Sequence, residues 1–220
     1  MERLSTTLGA VSLAASCPRC TSPVTEEDGV FTCLQHGLIP PLWRPDVADY
    51  TSFAASVARV DDLPTYLPWP MSPGWSIADF GCVASEHRAL ATVTTTVGTS
   101  DLDGPVEVTV VSEDAGVGLG ARCAGTEYDD PGEQVGHGPH SIHVRAGGRT
   151  VPMWAVDPRD DDNLLAKAVF AGEAEGRWLW LVIRPASAAL LLRDEWLLAD
   201  VTGFGPGAIE MPFGGPRPAW

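Results

Sequence analysis

The spacing of hydrophobic residues changes period once along this chain. Val47, Tyr50, Phe53, Ala54, Val57 and Val60 recur at three- or four-residue intervals, or close to it, the stripe of an amphipathic helix. Pro45 suits its first turn, Asp46 and Asp49 place negative charge at the positive end of the helix dipole, and Asp61-Asp62-Leu63-Pro64 ends it. The stretch Leu67-Pro68-Trp69-Pro70-Met71-Ser72-Pro73-Gly74-Trp75 carries too much proline for a helix and reads as an extended entry into a sheet.

From Ser76 onward the period falls to two. Strands are predicted over Ile77–Ser85, Ala89–Val97, Val106–Ser112, Ser141–Arg145, Thr150–Val156, Ala168–Glu173 and Trp178–Ile183, separated by Gly, Pro and Asp. The run Trp178-Leu179-Trp180-Leu181-Val182-Ile183 is apolar on both faces, as an interior strand covered on two sides must be. Others read as half-exposed: Ala91, Val93 and Val97 alternate with Thr92, Thr94 and Thr96. Ser187–Val201 fits either a helix or a strand pair, and the Gly/Pro-rich tail from Gly203 is expected to lie across the surface.

Ahead of the helix, Cys17-Pro18-Arg19-Cys20 and Cys33-Leu34-Gln35-His36-Gly37 form two short knuckles. A C-x-x-C turn presents two thiolates to one ion while its backbone N–H groups face the sulfurs. The second knuckle adds a thiolate and an imidazole, completing a tetrahedral set for zinc. Val24–Phe31 between them centres on Asp28-Gly29, a strong hairpin signal. A disulfide at Cys17 and Cys20 is the plainer alternative, but it leaves Cys33 and His36 without a role. Four protein ligands leave no open position, so the expected Zn2+ is structural. A second alternative, lipidation of Cys17 in an envelope lipoprotein, draws on Leu13-Ala14-Ala15-Ser16-Cys17. Its leading region is weakly basic and interrupted by Ser5-Thr6-Thr7.

The predicted architecture is α+β and β-rich: a small N-terminal zinc ribbon, one amphipathic helix, then a mostly antiparallel sheet. The expected segments are 1–16 flexible, 17–43 ribbon-like, 44–66 helix and linker, 67–202 the β-rich domain and 203–220 the tail. The most apolar run, Trp178–Leu192, is broken by Arg184-Pro185, so no membrane span is expected. A net charge of −15, with Arg19 facing Glu26, Glu27 and Asp28 inside the ribbon, disfavours nucleic acid as a partner. The chain reads as cytoplasmic, with a protein or a small molecule as its ligand.

Other candidates are weaker. Gly116-Val117-Gly118-Leu119-Gly120-Ala121-Arg122 contains G-x-G-x-x-A after a strand, but the Gly-, Pro- and Asp-rich segment behind it does not suit a dinucleotide-binding helix. Gly116, Gly118, Gly120 and Arg122 are retained as a candidate anion-binding set. His137, His140 and His143 could supply an acid and a base, although strand alternation would place His140 and His143 on different faces if His140 belongs to the strand. Asp157–Asn163 lacks the glycine of a calcium loop, and Cys82 and Cys123 read as buried thiols. Trp69, Trp75, Trp154, Trp178, Trp180 and Trp196 are expected in the core. No G-x-S-x-G, H-E-x-x-H or phosphate-binding Gly-x4-Gly-Lys-Ser/Thr motif is present. A binding or regulatory module without catalysis is the preferred reading, and an acyl or phosphoryl transferase built on the glycine loop is the alternative.

The knuckles, Leu67-Pro68-Trp69-Pro70 with Gly74-Trp75, the Gly116–Arg122 loop, Pro152-Met153-Trp154, and Ala168–Ala174 with Trp178-Leu179-Trp180 together resemble an uncharacterised actinobacterial family. The resemblance runs over nearly the whole length. It implies the fold and an N-terminal zinc-ribbon-like element. Some members carry the automatic name phosphotransacetylase, whereas true phosphate acetyltransferases are longer α/β proteins. Cys123 departs from the family pattern.

Overall fold

The computed structural model describes residues 13–60, 63–85, 88–158, 166–194, 196–205, 210–218 and 220. The fold is α+β and rich in strand. Its strands are β1 (Leu13–Ser16), β2 (Val24–Glu27), β3 (Val30–Cys33), β4 (Gly37–Leu38), β5 (Leu42–Pro45), β6 (Tyr66–Pro68), β7 (Ser76–Ala84), β8 (Ala89–Ser100), β9 (Gly104–Glu113), β10 (Ile142–Ala146), β11 (Arg149–Ala155), β12 (Ala168–Ala174), β13 (Arg177–Arg184) and β14 (Trp196–Asp200). Two α-helices, α1 (Tyr50–Val57) and α2 (Leu119–Ala124), and two 3-10 segments, Gly132–Gln134 and Ala186–Asp194, complete the described elements.

Among the described residues, eleven strands form one sheet in the order β1-β5-β7-β8-β9-β13-β12-β11-β10-β14-β6, while β2, β3 and β4 form a separate small sheet. Every pairing is antiparallel except β10 with β14. β13 lies between β9 and β12 and is buried on both faces, as its uninterrupted apolar run requires. Leu179, Leu181 and Ile183 join one core with Val106, Val108, Val110, Val144 and Met153. Trp180 and Val182 join another with Val93, Val111, Leu119 and Cys123.

The threonine face of β8 is not half-exposed. Thr92, Thr94 and Thr96 are 2%, 1% and 0% exposed, because the sheet coils until its far edge returns over this strand. Thr92 Oγ1 donates to the Pro64 carbonyl at 2.7 Å and Thr94 Oγ1 to the Tyr66 carbonyl at 2.6 Å. Short hydroxyl side chains can be buried when each finds an acceptor, and a two-residue period cannot distinguish that from a wet face.

The helix is shorter than its stripe suggests. Pro45 ends β5, which pairs with β7 through Leu42↔Val83 and Trp43↔Cys82, and the buried Arg44–Asp79 ion pair fastens the extended chain there. The helix starts after Asp49, whose carboxylate accepts from Ser52 N at 2.7 Å. Phe53 then meets Phe80 edge-on, with ring centroids 5.0 Å apart.

Both ends of the described chain are built in. Leu13–Ser16, expected to be flexible, pairs with β5 from Leu13↔Pro45 to Ser16↔Leu42. In the tail, Met211 is buried, Ile77 N donates to the Pro212 carbonyl at 2.8 Å and Phe213 packs on Phe53. Ser187–Val201 resolves into a 3-10 segment followed by β14. No helix among the described residues is long and apolar enough to cross a membrane.

Candidate metal centre

Cys17 follows β1, Cys20 lies in the next turn, Cys33 ends β3 and His36 lies in the turn into β4. The β2–β3 hairpin aligns these turns. Asp28 and Gly29 have φ of 49° and 78°, the left-handed pair of a tight hairpin turn. Cys33 thereby comes opposite Val24.

The side chains of Cys17, Cys20, Cys33 and His36 converge, with all four ligand atoms within 4.8 Å of one another. His36 Nδ1 stands 3.5 Å from Cys17 Sγ, 3.4 Å from Cys20 Sγ and 3.6 Å from Cys33 Sγ. Cys20 Sγ and Cys33 Sγ are 3.6 Å apart, and all cysteines are free thiols. A tetrahedron with metal–sulfur bonds of about 2.3 Å and metal–nitrogen bonds of about 2.0 Å has edges of roughly 3.5–3.8 Å, so the set fits a metal ion at its centre. A disulfide, at about 2.05 Å, does not fit this spacing.

Each sulfur receives a backbone N–H from two residues on: Arg19 N to Cys17 Sγ, Ser22 N to Cys20 Sγ and Gln35 N to Cys33 Sγ, each at 3.4 Å. Such donors stabilise thiolates. Burial pushes the Cys17 thiol up to about 11. Burial also opposes ionisation of Cys20, but hydrogen bonds from Ser22 and the neighbouring thiols outweigh it and bring Cys20 down to about 6. A metal ion would displace the remaining protons and hold all three sulfurs as thiolates.

The glycine loop lies against this cluster, and its polar groups are engaged by the protein itself. Gly116 N donates to Asp130 Oδ1 at 2.8 Å, Leu119 N to Glu113 Oε2 at 2.8 Å and Gly120 N to Glu113 Oε1 at 3.1 Å. Its carbonyls receive Arg19 from the first knuckle: Arg19 Nε donates to the Val117 carbonyl at 3.2 Å and Nη2 to that of Gly116. Arg19 also pairs with Asp129 at 3.2 Å. From the other side, Arg122 Nη1 donates to the Cys17 carbonyl. Gly118 needs its left-handed φ of 82°, and a side chain there would press on Asp129 and Arg19. The candidate anion set Gly116, Gly118, Gly120 and Arg122 is thus arranged as a seat for the knuckle.

Glu113 and Arg19 were not singled out by sequence reasoning. The available signals were a carboxylate ending a buried strand immediately before a glycine loop, and a guanidinium between the two cysteines of a C-x-x-C turn. Burial raises Glu113 to about 8, against the opposing pull of the Gly120 and Leu119 amides.

His137, His140 and His143 are all exposed. His140 precedes β10, so the condition for opposite faces is not met, and its ring lies 4.0 Å from that of His143. Cys82 and Cys123 are buried, with burial raising the first to about 11 and the second higher still. The Asp157–Asn163 turn falls largely outside the described residues.

No curated protein and no solved structure matches the chain. A family model does match it, over residues 11–220. The β-rich chain with its knuckle cluster therefore belongs to DUF6758, a family of unknown function.

Proposed function

We propose that Cys17, Cys20, Cys33 and His36 bind a structural Zn2+, and that the ribbon so formed serves a binding or regulatory module without catalysis. The observation carrying this is the tetrahedral convergence of three sulfurs and Nδ1. It is supported by Arg19 and Arg122, which tie the first knuckle to the sheet domain. The ribbon also forms one wall of a cleft of about 700 Å3, where Val30, Phe31 and Leu38 face Pro41, Trp43 and Leu90. This cleft has a volume suited to a small, mostly apolar ligand. Free thiols suit a reducing cytoplasmic setting.

The transferase reading behind the name phosphotransacetylase needs free donors in the Gly116–Arg122 loop. Three of the loop's amides are bound to Glu113 and Asp130, and Arg122 is bound to Cys17. Lipidation would need an accessible sulfur, whereas Cys17 is 0% exposed and follows a paired strand.

Elemental analysis of the purified chain tests the proposal. One zinc per chain, lost in Cys33→Ser, is expected; a metal-free chain that is equally stable with and without added zinc would overturn it.

A further inference from the structure

A second cavity, of about 540 Å3, opens between the proline-rich segment after β6, the β8–β9 hairpin tip and β14. Three tryptophans expected in the core, Trp69, Trp75 and Trp196, pack against it but stay partly exposed around this cavity. Each is held in place. Trp196 Nε1 donates to the Leu191 carbonyl at 2.9 Å. Trp69 N donates to the Leu197 carbonyl at 2.9 Å, and its ring meets Phe204 edge-on at 5.6 Å. Trp75 lies flat over β8 at Gly98, where any side chain would overlap the indole ring.

The rest of the lining decides what charge the cavity accepts. Met71 adds a polarisable thioether, and Leu102, 90% exposed, overhangs the rim. Among the described residues lining the cavity, Asp101 is the one ionisable group, and none is Lys, Arg or His. Indole rings attract cations through their negative faces, most strongly when the cation carries little hydration, and a nearby carboxylate adds direct Coulomb attraction. Within the described lining, a small anion would meet repulsion from Asp101.

From this arrangement we infer that the cavity is a binding site for an organic cation of the quaternary ammonium type. The charged head sits among Trp69, Trp75 and Trp196, with Asp101 as counter-ion. The volume exceeds that of a trimethylammonium head, so an apolar or ether body fills the remainder along Met71 and Leu102. The site is separate from the ribbon cleft and does not depend on metal.

Zinc-loaded full-length protein, titrated with choline and followed by tryptophan fluorescence and by indole N–H shifts in NMR, tests the site. The control is 3,3-dimethyl-1-butanol, the uncharged isostere of choline. Choline is expected to bind about tenfold more tightly than the isostere, the difference expected of one partly desolvated cation–π contact. Asp101→Asn, at the exposed hairpin tip, and Trp75→Phe, which keeps an aromatic ring in place, should each weaken choline severalfold while leaving the circular dichroism spectrum unchanged. Equal affinity for the two compounds, or no saturable response to choline, overturns the proposal, as does a neutral proline decapeptide that binds and is not displaced by choline. Sedimentation with phosphatidylcholine vesicles, against phosphatidylglycerol vesicles, separates the sources: selective co-sedimentation assigns a lipid headgroup, and choline binding without it assigns a free small molecule. Equal binding to both vesicles with no choline response overturns it.

Discussion

Arg122 of the glycine loop donates through its guanidinium to the main-chain carbonyl of Cys17, the first of the four clustered knuckle residues. A residue that sequence reasoning placed in an anion site thus holds the backbone of a residue in the Cys/His cluster that could bind a metal. Arg122→Ala should leave the sheet folded and weaken metal binding by about 10–100-fold, the usual cost of losing a residue that orients a ligand. Competition with a chromophoric chelator measures it. Unchanged affinity would mean that the contact holds nothing in place.

Metal removal should act more severely. The ribbon has little apolar core of its own, with Val30, Leu34 and Leu38 51%, 80% and 75% exposed, and structural zinc contributes on the order of 10 kcal/mol to folding in small modules. Chelation, or Cys33→Ser, is expected to melt the β2–β3–β4 sheet while the eleven-stranded sheet persists. Amide exchange should show protection lost in residues 17–41 and kept in β9 and β13.

Stability should fall as pH rises through the neutral range. Glu113 titrates near 8 in the folded protein, against an ordinary value of 4.5. Between those two values the native state holds more protons than the unfolded chain, so stability declines across that window. With zinc saturating, Glu113→Gln should flatten this slope. It loses one acceptor for the Leu119 and Gly120 amides, which costs about 1–3 kcal/mol. Urea midpoints for both proteins from acid to mildly alkaline pH supply the comparison, and parallel curves would exclude Glu113 as the source.

Gly120 lies against the indole of Trp180, so that a methyl group there would overlap the ring. Trp180 is 0% exposed and has nowhere to move. Gly120→Ala should destabilise the protein by about 1–3 kcal/mol, the range for overpacking a filled core. Thermal unfolding would register it, and a neutral result would mean that α2 can shift outward.

The seven strand runs beyond Ser76 were legible because each alternates or is uniformly apolar and ends at turn residues; all seven correspond to strands. The knuckle residues were legible because their spacing is local and the chemistry of thiolates and imidazole is restrictive. What escaped depends on long-range return. Nothing near Thr94 announces that Tyr66 will cover it, and nothing near Leu13 announces its pairing with Pro45. The helix start was misplaced for a similar reason: Arg44 is drawn into β5 by Asp79, a partner 35 residues away. The glycine loop was read as a ligand site because its donors were visible in the sequence, while their acceptors, Glu113 and Asp130, become neighbours only in the folded protein.

Ser16 and Leu42 are direct partners across β1 and β5, joined further by Ser16 Oγ donating to the Leu42 carbonyl at 3.2 Å. Everything from Cys17 to Pro41 is therefore a cassette spliced into a place where a short reverse turn would suffice. Because its two ends are already clamped side by side, the cassette can gather its Cys/His cluster with much of the loop entropy removed beforehand. The same geometry makes it exchangeable: a foreign metal-binding insert, or a bare two-residue turn, could occupy the slot without altering the order of any strand in the large sheet.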